Sequence, residues 1–295
     1  MTAARDAALA AHAAGLCVVP PTGPGHGRSP KAPLGRWEQY QTERPTPEQI
    51  ERWYATGRTG VGIVCGVVSG NLEAFDVEGR AVVEGTFDAF VDELDRAGLG
   101  ELWDRLVLGY SEKTPTDGVH VLWRCAEIGG NTKLARRPAT PDELAANPDQ
   151  KVIDLIETRG ERGYVVVAPS TGIHPNGRSW TLVRGGFDTI QTITPEERAA
   201  ILDVARRFNV VADHPEPAPP KPRAAPVTVS MPVDGDMPSE EFNRSHTADE
   251  VLERAGFTFH SAGRDSRLGG EARNYTRPGK RRSEGSSAPV WADCR

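Results

Sequence analysis

Eight prolines fall between Asp213 and Ser239, with almost no large apolar side chain among them. Each proline fixes its φ and removes a backbone donor, so neither a helix nor an interior strand runs through such a stretch. It reads as a semi-rigid extended linker. A folded unit must therefore close near residue 212. The expected organisation is a domain over 1–212, a linker over 213–239 and a C-terminal segment over 240–295. That last segment is basic: residues 264–282 carry seven Arg or Lys against Asp265 and Glu271. Thr247-Ala-Asp-Glu250 is a capping box for a short helix ending at Gly256. With so few apolar groups, the segment is expected to hold itself together poorly.

The first 212 residues have the material for a core, since 38% of the chain is hydrophobic against 26% charged. No apolar run approaches the roughly 18 residues of a membrane span, and the opening MTAARDAALAAHAAG lacks the pattern of a signal peptide. Cys17, Cys65, Cys125 and Cys294 lie far apart, with no zinc-like spacing. A disulfide scaffold, a zinc finger and a membrane protein are excluded, and a cytoplasmic location is expected. The net charge of -6 argues only weakly against nucleic acid. An enzyme that acts on nucleic acid can need acidic metal ligands as well as a basic groove, and net charge averages the two.

Helix starts repeat one device. Thr46-Pro-Glu-Gln49, Thr140-Pro-Asp-Glu143 and Thr194-Pro-Glu-Glu197 each put Thr at the N-cap, Pro at the first helical position and Glu or Gln at the third. Helices are predicted over 3–14, 47–56, 86–97, 141–146 and 195–208, with Gly15 and Gly57 ending the first two. Strands are predicted over 16–20, 61–65, 72–78, 105–109, 119–124, 152–157, 163–168 and 179–183. Several connections are too short for a crossover helix, so the fold class is α+β with a mixed or antiparallel central sheet.

Three constellations carry chemistry. In Phe75-Asp76-Val77-Glu78-Gly79, alternation sends Asp76 and Glu78 to one face while Phe75 and Val77 enter the core. Two adjacent carboxylates repel unless a cation lies between them, although a lone pair of this kind is more often a solvated strand end. In Thr116-Asp-Gly-Val-His120-Val-Leu122, Gly118 permits a close backbone or phosphate approach. His120 stands beside Lys113 and Arg124, either as a phosphate grip or as a hydrogen-bonded structural histidine. In Val152-Ile-Asp154-Leu-Ile-Glu157-Thr-Arg159-Gly160, an odd separation puts Asp154 and Glu157 on opposite faces of a regular strand, so only one is expected at a metal site. Gly23-Pro-Gly-His-Gly-Arg-Ser29 is too short for a phosphate loop and reads as an ordinary loop. His174-Pro-Asn-Gly177 reads as a turn between strands.

The order of these motifs, closed by Arg159-Gly-Glu-Arg-Gly-Tyr-Val-Val-Val-Ala-Pro-Ser170, resembles the bifunctional primase/polymerase domain of the archaeo-eukaryotic primase superfamily. Gly15-Leu-Cys-Val-Val-Pro20, Lys31-Ala-Pro33, Trp37 and Gly60–Gly66 are similar to its N-terminal stretch, so the likeness covers roughly 10–185. The resemblance implies an RRM-like sheet with flanking helices. It puts the first carboxylate motif on Asp76 and Glu78 and the nucleotide-contacting histidine on His120. The third carboxylate, usually Asp, falls on Glu157, with Asp154 as fallback ligand. Arg159 is implied as a contact for phosphates or template. Two Mg²⁺ or Mn²⁺ ions, NTP or dNTP, and a single-stranded DNA template follow from the same likeness. Phe242-Asn243, Asn274–Lys280 and Ser287-Ala288 look like the segment joining such domains to a helicase in phage and plasmid replication proteins. A replicative helicase is thus an implied partner, and the host cytoplasm is the location if the chain is phage-encoded. No Walker A motif occurs.

Two other classes use the same residues. A metal-dependent nuclease would replace the 3′-hydroxyl with water and has less need of His120. A non-catalytic replication adaptor has no need to retain the carboxylates and His120 together.

Overall fold

A computed structural model of the chain describes residues 3–25, 29–211, 247–264, 271–279 and 288–291. The proline-rich linker and much of the basic stretch lie outside the described residues. The chain divides into two compact units, Met1–Glu216 and Pro217–Arg295.

The first unit is α+β. Helices α1 (Ala3–Ala13), α2 (Pro47–Tyr54), α4 (Thr86–Arg96), α6 (Pro141–Ala146) and α7 (Pro195–Arg206) stand where the sequence expects them. Thr46, Thr140 and Thr194 accept the backbone N–H three residues on, and the last two close full capping boxes. Gln49 instead gives its side chain to Arg52. Gly15 and Gly57 terminate α1 and α2 with positive φ.

The central sheet runs β6 (Thr132–Pro138), β7 (Val152–Arg159), β3 (Leu72–Val77), β5 (Val119–Cys125), β4 (Tyr110–Lys113), β9 (Thr181–Gly185), all antiparallel. The short β10 (Gln191–Ile193) joins β5 in parallel. A smaller antiparallel sheet orders β1 (Cys17–Val18), β2 (Val61–Val64) and β8 (Tyr164–Val167).

One expectation fails at 105–109. That stretch is the end of helix α5 (Gly100–Gly109), and the strand begins only at Tyr110. Leu99, Leu102, Trp103, Leu106 and Val107 recur at helical spacing and pack into the core, leaving Leu108 exposed. The short α3 (Gly79–Val83) and the edge strand β6 were also not legible. Lys133, Arg136 and Arg137 give β6 the charged character that protects a sheet edge, at the cost of a hydrophobic signal.

The two faces of the central sheet differ. Phe75, Val77, Val121, Trp123 and Ile156 pack against α3, α4, α5 and α7. On the opposite face, Leu72, Ala74, Tyr110 and Leu122 are covered by α1, α2 and the small sheet. Along β3 that second face passes from Leu72 and Ala74 to Asp76 and Glu78, where the apolar covering stops. A concave surface begins there.

In the second unit, helix α8 (Ala248–Arg254) carries the expected capping box. The described residues also form a three-stranded antiparallel sheet, β11 (Thr258–Arg264), β12 (Glu271–Thr276) and β13 (Ala288–Trp291). Tyr275 is buried and donates to Asp249 at 2.8 Å, so this segment is better organised than its composition suggests.

Candidate active site

Strand register alone assembles the site. Glu112 pairs with His120 across β4 and β5, His120 with Asp76 across β5 and β3, Asp76 with Glu157 across β3 and β7, and Glu157 with Lys133 across β7 and β6. Five titratable side chains thus form one row across five adjacent strands. Residues directly opposite in an antiparallel ladder sit close enough to interact strongly. Glu78, one residue past the end of β3, continues the extended chain and returns to the face of Asp76.

Oxygens of Asp76, Glu78 and Glu157 all lie within 4.8 Å of one another. Burial raises the pKa of Glu78, and the charges of Asp76 and Glu157 push it further up. Glu157 is also raised, by burial first, although Arg159 and Lys133 both pair with it and oppose the shift. Burial acts the same way on Asp76, but the neighbouring His120 outweighs it and holds the carboxyl below its usual range. Burial favours a neutral His120. Asp76 at 3.3 Å from Nε2 and Glu112 at 2.6 Å from Nδ1 overcome it and carry the imidazole up to about 10. Three converging carboxylate donors, two of them held above their normal range, fit a divalent cation.

A cavity of about 570 Å³ opens over this row. Asp76, Glu78, His120 and Arg159 line it, together with Lys31, Arg80 and His174. Two turns shape its rim. A Cβ on Gly118 would lie 2.2 Å from the Val77 carbonyl, and one on Gly79 would lie 1.7 Å from the Thr116 carbonyl. The carboxylate turn and the turn before His120 therefore interlock through two glycines, the close approach that Gly118 suggested. The loop 171–180 is tied to the same rim by Arg178, which makes a two-pronged pair with Asp117, and by Asn176, which donates to the Pro115 carbonyl at 2.8 Å.

The structure does not bring Lys113 or Arg124 into the cavity lining. Lys113 pairs with Asp117 at 2.6 Å. Arg124 donates to the carbonyls of Ser69, of Gly70 at 3.1 Å and of Ala14 at 3.0 Å, bracing the apolar half of the sheet face. Asp154 stays outside the carboxylate group, 2.6 Å from Lys133 Nζ. The reason differs from strand parity. The register steps from Ala135↔Ile156 to Arg136↔Asp154, so Leu155 is the extra residue of a bulge. Leu155 and Ile156 both enter the core, and Asp154 reaches the same lysine as Glu157. Glu112, Lys31 and His174 were not assigned roles from sequence. Glu112 on β4 lies at alternation from Tyr110 and could be placed only once the β4–β5 pairing was known.

The description of bifunctional DNA primase/polymerase N-terminal domains matches residues 8–197, well over half of the chain and inclusive of the whole row. The chain belongs to this family. No curated protein matches the chain. Membership in the primase/polymerase family implies DNA and nucleotides as substrates, nucleotidyl transfer as the class of reaction, and divalent metal as cofactor. No helix among the described residues is long and apolar enough to cross a membrane.

Proposed function

We propose that the first unit makes primers and extends them on a single-stranded DNA template by metal-dependent transfer of nucleotides. The observation that carries this reading is the convergence of Asp76, Glu78 and Glu157 beside His120, where Asp76, Glu78 and His120 line a cavity of nucleotide size. The three carboxylates would hold two Mg²⁺ or Mn²⁺ ions. Ions bound there supply charge neutralisation for the 3′-hydroxyl and the pyrophosphate. The protein's own part is to position and to complement charge. His120 Nε2, which lies 3.3 Å from Asp76, would turn its proton to a phosphate oxygen of the incoming nucleotide. Lys31, Arg80 and Arg159 face the same cavity and complement the remaining phosphate charge. Lys133 and Arg159 balance Glu157 in the absence of metal. A helicase acting beside this chain belongs to the same reading, supported by the sequence likeness of the C-terminal segment.

The test is synthesis. Purified protein with Mn²⁺ or Mg²⁺, nucleotides and single-stranded DNA is expected to give labelled primers or extended ones. Asp76→Ala or Glu78→Ala should lower the rate by about a hundredfold or more while thermal unfolding remains cooperative. His120→Ala should act chiefly on nucleotide KM. Template degradation without synthesis would replace this reading with the nuclease, and DNA binding without either reaction would replace it with the adaptor.

A further inference from the structure

Glu112 is fully buried, and nothing in the proposed chemistry uses it. A carboxylate removed from water persists only if its oxygens are satisfied, and here both are. Oε1 lies 2.6 Å from His120 Nδ1. Oε2 accepts from the Tyr110 hydroxyl at 2.7 Å and from the Ala168 backbone N–H at 2.6 Å. The three partners come from β4, β5 and the residue following β8, so both sheets hold the carboxylate in place. An imidazole has one rotatable ring plane. Fixing Nδ1 on an immobile acceptor fixes the direction of Nε2. That nitrogen points to Asp76, at the edge of the cavity.

We infer that Glu112 is a positioning residue, which holds the His120 ring with Nε2 facing the carboxylate cluster and so sets the affinity for the incoming nucleotide without touching it. The inference rests on His120 as the phosphate contact. It adds the group that makes that contact directional. Glutamine is a poor substitute. Its NH2 can face Nδ1 only if the ring gives up its Nδ1 proton, and turned the other way it meets the Tyr110 and Ala168 donors, so the variant loses the charge-assisted hold on the ring or sets donor against donor.

Two measurements test it. In primer extension, Glu112→Gln should raise nucleotide KM by roughly tenfold, as loss of an orienting partner does elsewhere. kcat and single-stranded DNA affinity should change much less. The double variant Glu112→Gln/His120→Ala should be no worse than His120→Ala alone, because the first residue acts only through the second. Wild-type nucleotide KM in Glu112→Gln, or effects that simply add in the double variant, would overturn the inference. The second measurement needs no catalysis. Imidazole ¹⁵N NMR of the full chain, with His120 assigned by its loss in His120→Gln, should show a proton on Nδ1 held in a short hydrogen bond. A ring protonated only at Nε2 would overturn the inference even where Glu112→Gln fails to fold. If wild type makes no product while the Nδ1 proton is present, the polymerase reading falls and the hold of Glu112 on the ring stands.

Discussion

The carboxylates of this chain are treated in opposite ways by their surroundings. Glu73 lies on the helix-covered face of β3, fully buried, yet every strong donor it needs is present. Arg198 reaches it through Nε at 2.6 Å and its terminal nitrogen at 2.7 Å, and Trp123 Nε1 donates at 2.9 Å. Removing one partner leaves a buried charge unpaired, so Glu73→Ala should cost about 3–5 kcal/mol, whereas Glu73→Leu with Arg198→Met should recover much of it. Urea midpoints of wild type and the two variants check this, and a single-variant loss below about 1 kcal/mol would mean that the pair is solvated. Glu78 is the opposite case, crowded by like charge. Its raised pKa means that the folded chain binds a proton more readily than the unfolded one. Its unfavourable contribution therefore appears as pH rises above the ordinary glutamate value of about 4.3 and saturates past the native value. In metal-free buffer, Glu78→Gln should be more stable than wild type at pH 8, with the advantage shrinking toward pH 4. Saturating Mn²⁺ should reverse the order, because only wild type retains the full donor set. A stability difference flat in pH would show that Glu78 is not held in this crowded state.

At the scale of elements, the site depends on two turns that only glycine allows to interlock. Gly118→Ala places its Cβ against the Val77 carbonyl, and one of the turns bearing Asp76 or His120 must move. Gly130 has open space around the same position and normal φ. Gly118→Ala is expected to lower both the melting temperature and synthesis, while Gly130→Ala leaves both near wild type. Equal behaviour of the two would show that the rim is pliable. The capped helices and the apolar strands were legible because their signals are local: a Thr-Pro cap needs four residues and alternation needs five. Asp76 and Glu78 could be read together for the same reason, since period two fixes their common face. Glu157 was reached through motif order, and parity misjudged Asp154 because the bulge at Leu155 leaves no mark in the sequence. Lys113 and Arg124 look close to His120 along the chain, but Lys113 turns to Asp117 in its own hairpin and Arg124 to carbonyls from distant parts of the chain. Residues 105–109 misled because Leu and Val at both faces satisfy two periods over so short a window, and Trp103 and Leu106 decide it only when read together. What the chain hides is register, the quantity that aligns Glu112, His120, Asp76, Glu157 and Lys133.

At the scale of the whole molecule, the apolar clusters that hold the central sheet draw their residues from between Ala4 and Phe208. The first unit therefore owns the core it needs. A chain ending at Glu216 should melt at the same temperature as the corresponding transition of the full protein and should add nucleotides with unchanged kcat. The second unit carries a strongly basic stretch. Residues 264–282 hold seven basic side chains against two acidic ones in a protein of net charge -6, which concentrates positive potential where the rest of the chain has little. If that stretch contacts the template, its phosphate contacts release counterions. The logarithm of affinity for single-stranded DNA then falls with the logarithm of salt by roughly 0.7 for each phosphate neutralised. Removing 217–295 should accordingly weaken template binding at low salt and flatten the salt dependence by about two or more such contacts, while nucleotide KM at saturating template stays fixed. Fluorescence anisotropy of a labelled oligonucleotide across a salt series measures both quantities. A truncated protein with the slope of the full chain would assign template binding to the first unit alone, where Lys31, Arg80 and Arg159 face the cavity.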